Sequence, residues 1–251
     1  MPPWCSFFEP KLWLARASRR GQRLLLQGME EEALRDALLS LLDETPVVGH
    51  PGLLDMAAKL VDGVDRPTLA RLNHPVTIHV QRHLGPLLDV LLDPSGVALL
   101  VVQPSLRCPA VRLVTLGMSD RPQSGSGEPI WGELMLAVPS DQWRVWVPLL
   151  LKLAHYPFLH NTFLWSGHTL ENHGLAPASD YAGFLVFPSI SVDESFHFLH
   201  EPDKRTVFLS VYPLYSEELD FYRSSSLEAL LERLEMAQIS DLVLPQRSKA
   251  V

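Results

Sequence analysis

This sequence predicts an α+β fold, a largely antiparallel mixed β-sheet with helices packed on it, and three observations predict it. Apolar runs of strand length recur between residues 86 and 138 and again between 182 and 213, each bounded by turn residues. Helical patterns precede, interrupt and close that series. The order helices, strands, helix, strands, helix fits helices packed on a largely antiparallel sheet.

Each element follows from its residues. Leu34, Leu38, Leu41 and Leu42 recur at spacings of three and four, so residues 29–43 read as an amphipathic helix that "TPVVGHPG" ends. Shorter helices are expected over 53–62 and 67–72. "HPVTIHVQRHLG" reads as helix or strand, with the closing Gly85 favouring helix. "PLLDVLLDPSGVALLVVQP" is a hairpin about a "DPSG" turn. "VRLVTLGMS" and "WGELMLAVP" are strands joined by the Gly/Ser/Pro-rich "DRPQSGSGEP", a surface connection. "VWVPLLLKLAHYP" is apolar around its circumference and reads as a buried helix ending at its last proline. "AGFLVFP" and "RTVFLSVYP" are late strands. "SSSLEALLERLEMAQ" is a terminal helix, with Ser225 and Glu228 in a capping-box relation.

The bulk numbers bound the function. At 251 residues and 47% hydrophobic, the chain can bury a core without staples. Two cysteines, Cys5 and Cys108, are too few for a disulfide framework, which predicts a reduced, cytoplasmic protein. No apolar stretch is long enough to span a bilayer. The formal charge of −8 is uneven: residues 1–28 carry five basic groups and one acid, a net of +4, which leaves −12 on residues 29–251. So acidic a body disfavours nucleic acid and suits a basic protein partner. Residues 1–28 lack a signal peptide's apolar core, and Met29 opens an acidic helix start. That predicts a disordered or mis-assigned extension over 1–28 and a single domain over 29–251.

Candidate chemistry is sparse. His155, His160, His168 and His173 cluster around "HNTFLWSGHTLENHG", and "HFLHE" adds His197, His200 and Glu201. Their spacing matches no zinc motif, and no phosphate-binding or nucleophile-elbow signature exists. No metal and no cofactor is therefore expected. A metal-assisted hydrolase using His155, His160 and His168 stands as the alternative function. Glu217, Glu218 and Asp220 in "YSEELDFY" read first as a solvated helix approach. Two polar loops stand out instead. "LGMSDRP" puts Gly117 at a strand end before a Ser119-Asp120 turn, and "WSGHTLEN" allows a tight backbone at Gly167 with His168 and Thr169 bonding across it.

Those loops and their neighbours resemble the suppressor-of-fused domain family. The resemblance runs from about residue 75 to 251. "HVQRHLG", "VVQPSLRCPAVRLVTLGMSDRP", "WGELMLAVP", "WVPLLLKLAHYPFLHNTFLWSGHTL" and "VFLSVYPLYSEELDFYRSSSLEALLERLE" occur in the family's order. The chain departs at Ala98, where the family pattern has an aspartate. The resemblance implies a suppressor-of-fused-like fold and binding rather than catalysis. Eukaryotic members sequester transcription factors, and many bacterial members resemble immunity proteins that neutralise polymorphic toxins. It carries over onto Gly117, Met118, Ser119, Asp120, Gly167, His168 and Thr169 as loop residues, structural or binding. The expectation is a non-enzymatic immunity-type protein that presents an acidic face to another protein, a basic toxin domain. Trp165, Tyr215, Glu217, Glu218 and Tyr222 are its partner-binding candidates. Core packing is the competing role of the aromatics and the favoured one for Trp165. A regulatory scaffold without a toxin partner is the remaining alternative.

Overall fold

Strand residues of alternate parity face opposite ways, and in most strands of this chain both parities are apolar, so the sheet must be covered on both faces. The computed structural model describes residues 71–251 apart from 72–73, 95, 106–108, 126, 175, 177–178 and 245–246. The expected extension 1–28, both cysteines, the helices over 29–43 and 53–62, and all but Arg71 of 67–72 lie outside the described residues.

Helix α1 (Pro75–Leu84) resolves the ambiguous "HPVTIHVQRHL" as helix. Pro75 starts it, the His74 imidazole caps Val76 N–H at 3.2 Å, and Gly85 at φ +109° ends it. Then follow β1 (Leu87–Leu92), β2 (Ala98–Val102), β3 (Val111–Leu116), β4 (Trp131–Val138), α2 (Trp143–Leu159), β5 (Thr169–Glu171), β6 (Gly183–Phe187), β7 (Phe198–His200), β8 (Arg205–Leu214), α3 (Ser216–Ser224) and α4 (Leu227–Met236). The eight strands form one mixed sheet in the order β1-β2-β3-β4-β8-β6-β5, with β7 pairing the first part of β8. Every pairing is antiparallel except β4 with β8, which run parallel. The α+β prediction holds.

One face carries Leu99, Leu113, Leu134, Leu209 and Phe184 against Trp146, Leu149, Leu150 and Leu153 of α2. The other carries Leu100, Val114, Met135 and Phe208 against Val76 and Val80 of α1, and then Leu185, Tyr212 and Leu214 against Leu219 of α3 and Leu230 and Leu234 of α4. Each such side chain stabilises by about 1.5–3 kcal/mol relative to exposure.

Three expectations are corrected. Helix α2 does not stop at Pro157 but runs on to Leu159, with Pro148 also inside it. Ser226, not Ser225, caps α4, accepting Ala229 N–H at 3.2 Å, while Ser225 ends α3. The acidic "SEELDFYRS" is itself a helix, α3, and not merely an approach to one. Short strands β5 and β7 were not anticipated.

Candidate functional site: two locked turns and an aromatic groove

The first turn follows β3. Gly117 takes φ +99°, and a Cβ there would lie 2.8 Å from Arg71 Nη1 and 3.1 Å from Gly96 O. Met118 and Ser119 are buried and Asp120 is exposed. The organiser is Glu133 on β4, fully buried. Its Oε1 accepts from Gly117 N–H (3.1 Å), Ser119 N–H (2.9 Å) and Ser119 Oγ (2.7 Å), and its Oε2 from Thr115 Oγ1 (2.5 Å). Burial pushes this carboxyl above the usual range, and the hydrogen bonds from Thr115 and Ser119 oppose that. From outside, Asp120 accepts from His74 (2.9 Å) and Arg71 (3.1 Å), which hold its carboxyl down at about 2, the His74 bond contributing most. Lys204 Nζ donates to Ser119 O at 3.1 Å. Sequence reading missed Glu133, and its only signal is a carboxylate inside an apolar strand.

The second turn follows α2 and is held differently. Gly167 takes φ +89°. Its N–H donates to Val186 O, Val186 N–H donates to His168 O, and His168 N–H donates to Trp165 O, at 2.9, 2.9 and 3.0 Å. Tyr222 on α3 donates its hydroxyl to Gly167 O at 2.6 Å. The His168 ring turns back to Phe163, 3.3 Å from its carbonyl oxygen and 4.9 Å between rings. Thr169 begins β5, paired with Leu185.

The histidines disperse. His155 lies 3.6 Å from Asp93, His160 packs at a tilt on Tyr156, His168 folds onto Phe163, and the exposed His173 pairs with Glu171 at 3.5 Å. His155, His160 and His173 border a groove of about 950 Å³ beside α2 and β5, and His168 does not. Among the described residues no group of three or more His, Cys, Asp or Glu side chains could hold a metal ion. None of the described helices is long and apolar enough to cross a membrane.

The aromatic candidates trade places. Trp165, favoured for the core, is 38% exposed on the wall of an open groove of about 870 Å³ with Phe163 and Trp131, rimmed by two acids, Glu128 and Asp203, and two cations, Lys204 and Arg205. Tyr215 is buried, as is Glu218, while Glu217 is exposed and Tyr222 half-buried. The structure therefore gathers Tyr215, Glu217 and Glu218 at the start of α3, ties Tyr222 to the second turn, and leaves Trp165 at a separate opening.

A buried-carboxylate turn and a tyrosine-tied turn thus sit on a mixed sheet covered on both faces. The family model described as Suppressor of fused protein (SUFU) matches residues 93–248, and the chain belongs to that family. Among solved structures, a SUFU homolog from Neisseria gonorrhoeae FA 1090 superposes with a TM-score of 0.54 at 16% identity, over 70% of this chain and 95% of the other, and shares the fold. Drosophila Suppressor of Fused gives a TM-score of 0.47 at 12% identity, over 61% of this chain and 42% of the other. A Sufu–Fu complex gives 0.46 at 14% identity, over 61% and 76%. No curated protein matches the chain.

Proposed function

We propose that this chain is a protein-binding module of the immunity type, which masks a basic toxin domain by covering its working surface. Trp165 carries the reading. A tryptophan on a rigid turn, open to solvent beside Phe163 and Trp131, supplies contact area at low entropic cost, and such aromatics are the usual anchors of tight interfaces. Membership of the suppressor-of-fused family supports binding as the activity, and the family's resemblance to bacterial immunity proteins supports neutralisation. The formal charge of −8 favours a basic partner and fast encounter. A hydrolase built on His155, His160 and His168 draws no support from side chains that point to different neighbours.

The test is capture from the native host by tagged full-length chain, with Trp165→Ala run beside it. The expected result is one basic protein, retained by the wild type, lost by at least about tenfold with the variant, and inactive while bound. Trp165→Ala should cost about 2–3 kcal/mol of stability, because more than half of the side chain is covered, so thermal melting of the variant is compared with wild type before capture is scored. A partner that stays fully active in the complex overturns the immunity reading, and equal capture by the variant overturns the role of the groove.

A further inference from the structure

The start of α3 holds a short peptide segment, and the segment is this chain's own. Arg247 places its guanidinium on Glu218 with two bonds of 2.7 Å, one to each carboxylate oxygen, and on Pro213 O at 2.7 Å. Its charge lies 5.1 Å from the Tyr215 ring centroid and 5.8 Å from that of Tyr181. The Tyr215 hydroxyl donates to Arg247 O (2.9 Å) and accepts from Arg247 N–H (3.1 Å), so it engages main chain as well as side chain. Two residues on, Lys249 sits at the rim, 2.5 Å from Glu217 Oε1, and Ala250 N–H donates to Glu218 Oε1 at 2.8 Å.

The pattern discriminates. The Glu218 side chain is wholly buried and Arg247 nearly so, at 0% and 6% exposed, and a buried carboxylate without its cation is strongly disfavoured, so the site demands an occupant. A planar fork fits two oxygens, a carbonyl and two aromatic walls, and an ammonium does not. Lys249 and Glu217 stay half-exposed, at 47% and 51%, so the second position is read by charge alone. The hold is largely polar, with Ala250 packed on the nearby apolar cluster, and the exchange is like for like: an incoming arginine re-pairs Glu218, so the buried carboxylate is not left without a cation once the exchange is complete. A cavity of about 430 Å³ opens beside Tyr215, Ser216, Glu217 and Asp180, which leaves room for an incoming chain.

We propose that this is a receptor for an Arg-x-Lys segment, that Arg247–Lys249 is its resident occupant, and that a basic segment of the partner with the same spacing displaces it. The proposal rests on the reading of the chain as a protein binder, and it places a second contact apart from the Trp165 groove. The resident tail is then an intramolecular competitor, acting at a tethered, millimolar-range concentration.

The test is fluorescence anisotropy with the labelled peptide Arg-Ser-Lys-Ala-Val against the full chain and its Arg247→Ala/Lys249→Ala variant. Emptying the site should raise apparent affinity by about tenfold or more, since competence is no longer shared with the tail. Glu217→Gln should weaken that gain, and Lys-Ser-Lys-Ala-Val should not bind. Should the double variant prove poorly folded, the peptide should raise its melting temperature, and Lys249→Ala alone, which keeps the buried pair, should still bind more peptide than wild type. No gain in binding and no thermal rescue would overturn the proposal and leave the tail a structural clamp. A dimer that forms by tail exchange, abolished by Arg247→Ala, would overturn it in favour of a second copy as occupant. The peptide readout needs no partner, so an empty host capture with positive peptide binding sinks only the toxin reading, and the reverse sinks only this site.

Discussion

The two turns do the same job by opposite means. The turn at Gly117–Asp120 is nailed from beneath by one fully buried carboxylate that takes four donors. The turn at Trp165–Thr169 has no buried charge and is held by three backbone bonds and one tyrosine hydroxyl. A turn fixed by a buried charge is committed to a single state, because any movement strands either the charge or its donors. A turn fixed by backbone pairing stays positioned while leaving its side chains uncommitted, and Trp165 and the exposed groove belong to that second kind. The contrast marks the first turn as scaffold, and the partner contact proposed above falls on the second.

The largest expected effect breaks the first turn. Glu133→Ala strands the Gly117 and Ser119 N–H groups and two hydroxyls inside the protein, and should cost at least about 4 kcal/mol, against about 1 kcal/mol for Tyr222→Phe in the second turn. Glu133→Gln sharpens the same point. Thr115 Oγ1 already accepts from Leu134 N–H at 2.7 Å, so its proton is aimed at Glu133, and an amide NH₂ there meets a donor with a donor. That substitution should fall between, at about 1.5–3 kcal/mol. Urea titration of the three variants measures the order, and near-equal values for Glu133→Ala and Tyr222→Phe would break the comparison.

The glycines should follow the same ranking with smaller numbers. Both turns need positive φ, which alone costs an alanine about 1–2 kcal/mol. At Gly167 the new Cβ meets only Leu227 and Tyr222, each at 3.4 Å, ordinary contact. At Gly117 it displaces the flexible end of Arg71, 2.8 Å away, from Asp120 and also presses on the Gly96 backbone oxygen at 3.1 Å, which has less freedom to give. Gly117→Ala should therefore lower the melting temperature further than Gly167→Ala, and the reverse order would show that both contacts give way freely.

What was legible in the sequence was whatever local pattern decides. The β1–β2 hairpin, α2 and the late strands follow from apolar runs and turn residues within a window of ten or so. Elements that pair across the chain were not legible. The parallel β4–β8 pairing joins residues such as Trp131 and Thr206, and β5 and β7, at three residues each, are too short to show a period. Among the three serines at 224–226, Glu228 favours Ser225 as the cap, yet α3 runs to Ser224 and ends at Ser225, which leaves Ser226 to cap α4. Glu133 shows only as a carboxylate inside an apolar strand, and its role was not legible because its donors lie upstream on another strand and turn. The exchange of roles between Trp165 and Tyr215 has the same origin. Tyr215 is covered by a tail that returns from residue 247, a contact that no pattern near Tyr215 announces.

The smallest effect concerns acid, and it touches the first turn alone. Asp120 ionises at about 2 in the fold against 3.8 as a free side chain, chiefly because of the His74 bond. A carboxyl held low in the folded state binds fewer protons there than in the unfolded chain, so its contribution is fully present above pH 3.8 and is lost as pH falls towards about 2. The side chain is 44% exposed, so solvent screening keeps the contribution below about 1 kcal/mol. Glu133 is shifted the other way by burial, so the raw acid profile mixes two opposed terms. The difference between wild type and Asp120→Asn isolates the clasp. That difference should shrink through the same acid window, while the amide exchange of Gly167, whose turn is held by backbone groups and a phenol, should not respond to the substitution at all. A pH-independent difference would mean that Arg71 and His74 do not hold the first turn through the charge of Asp120.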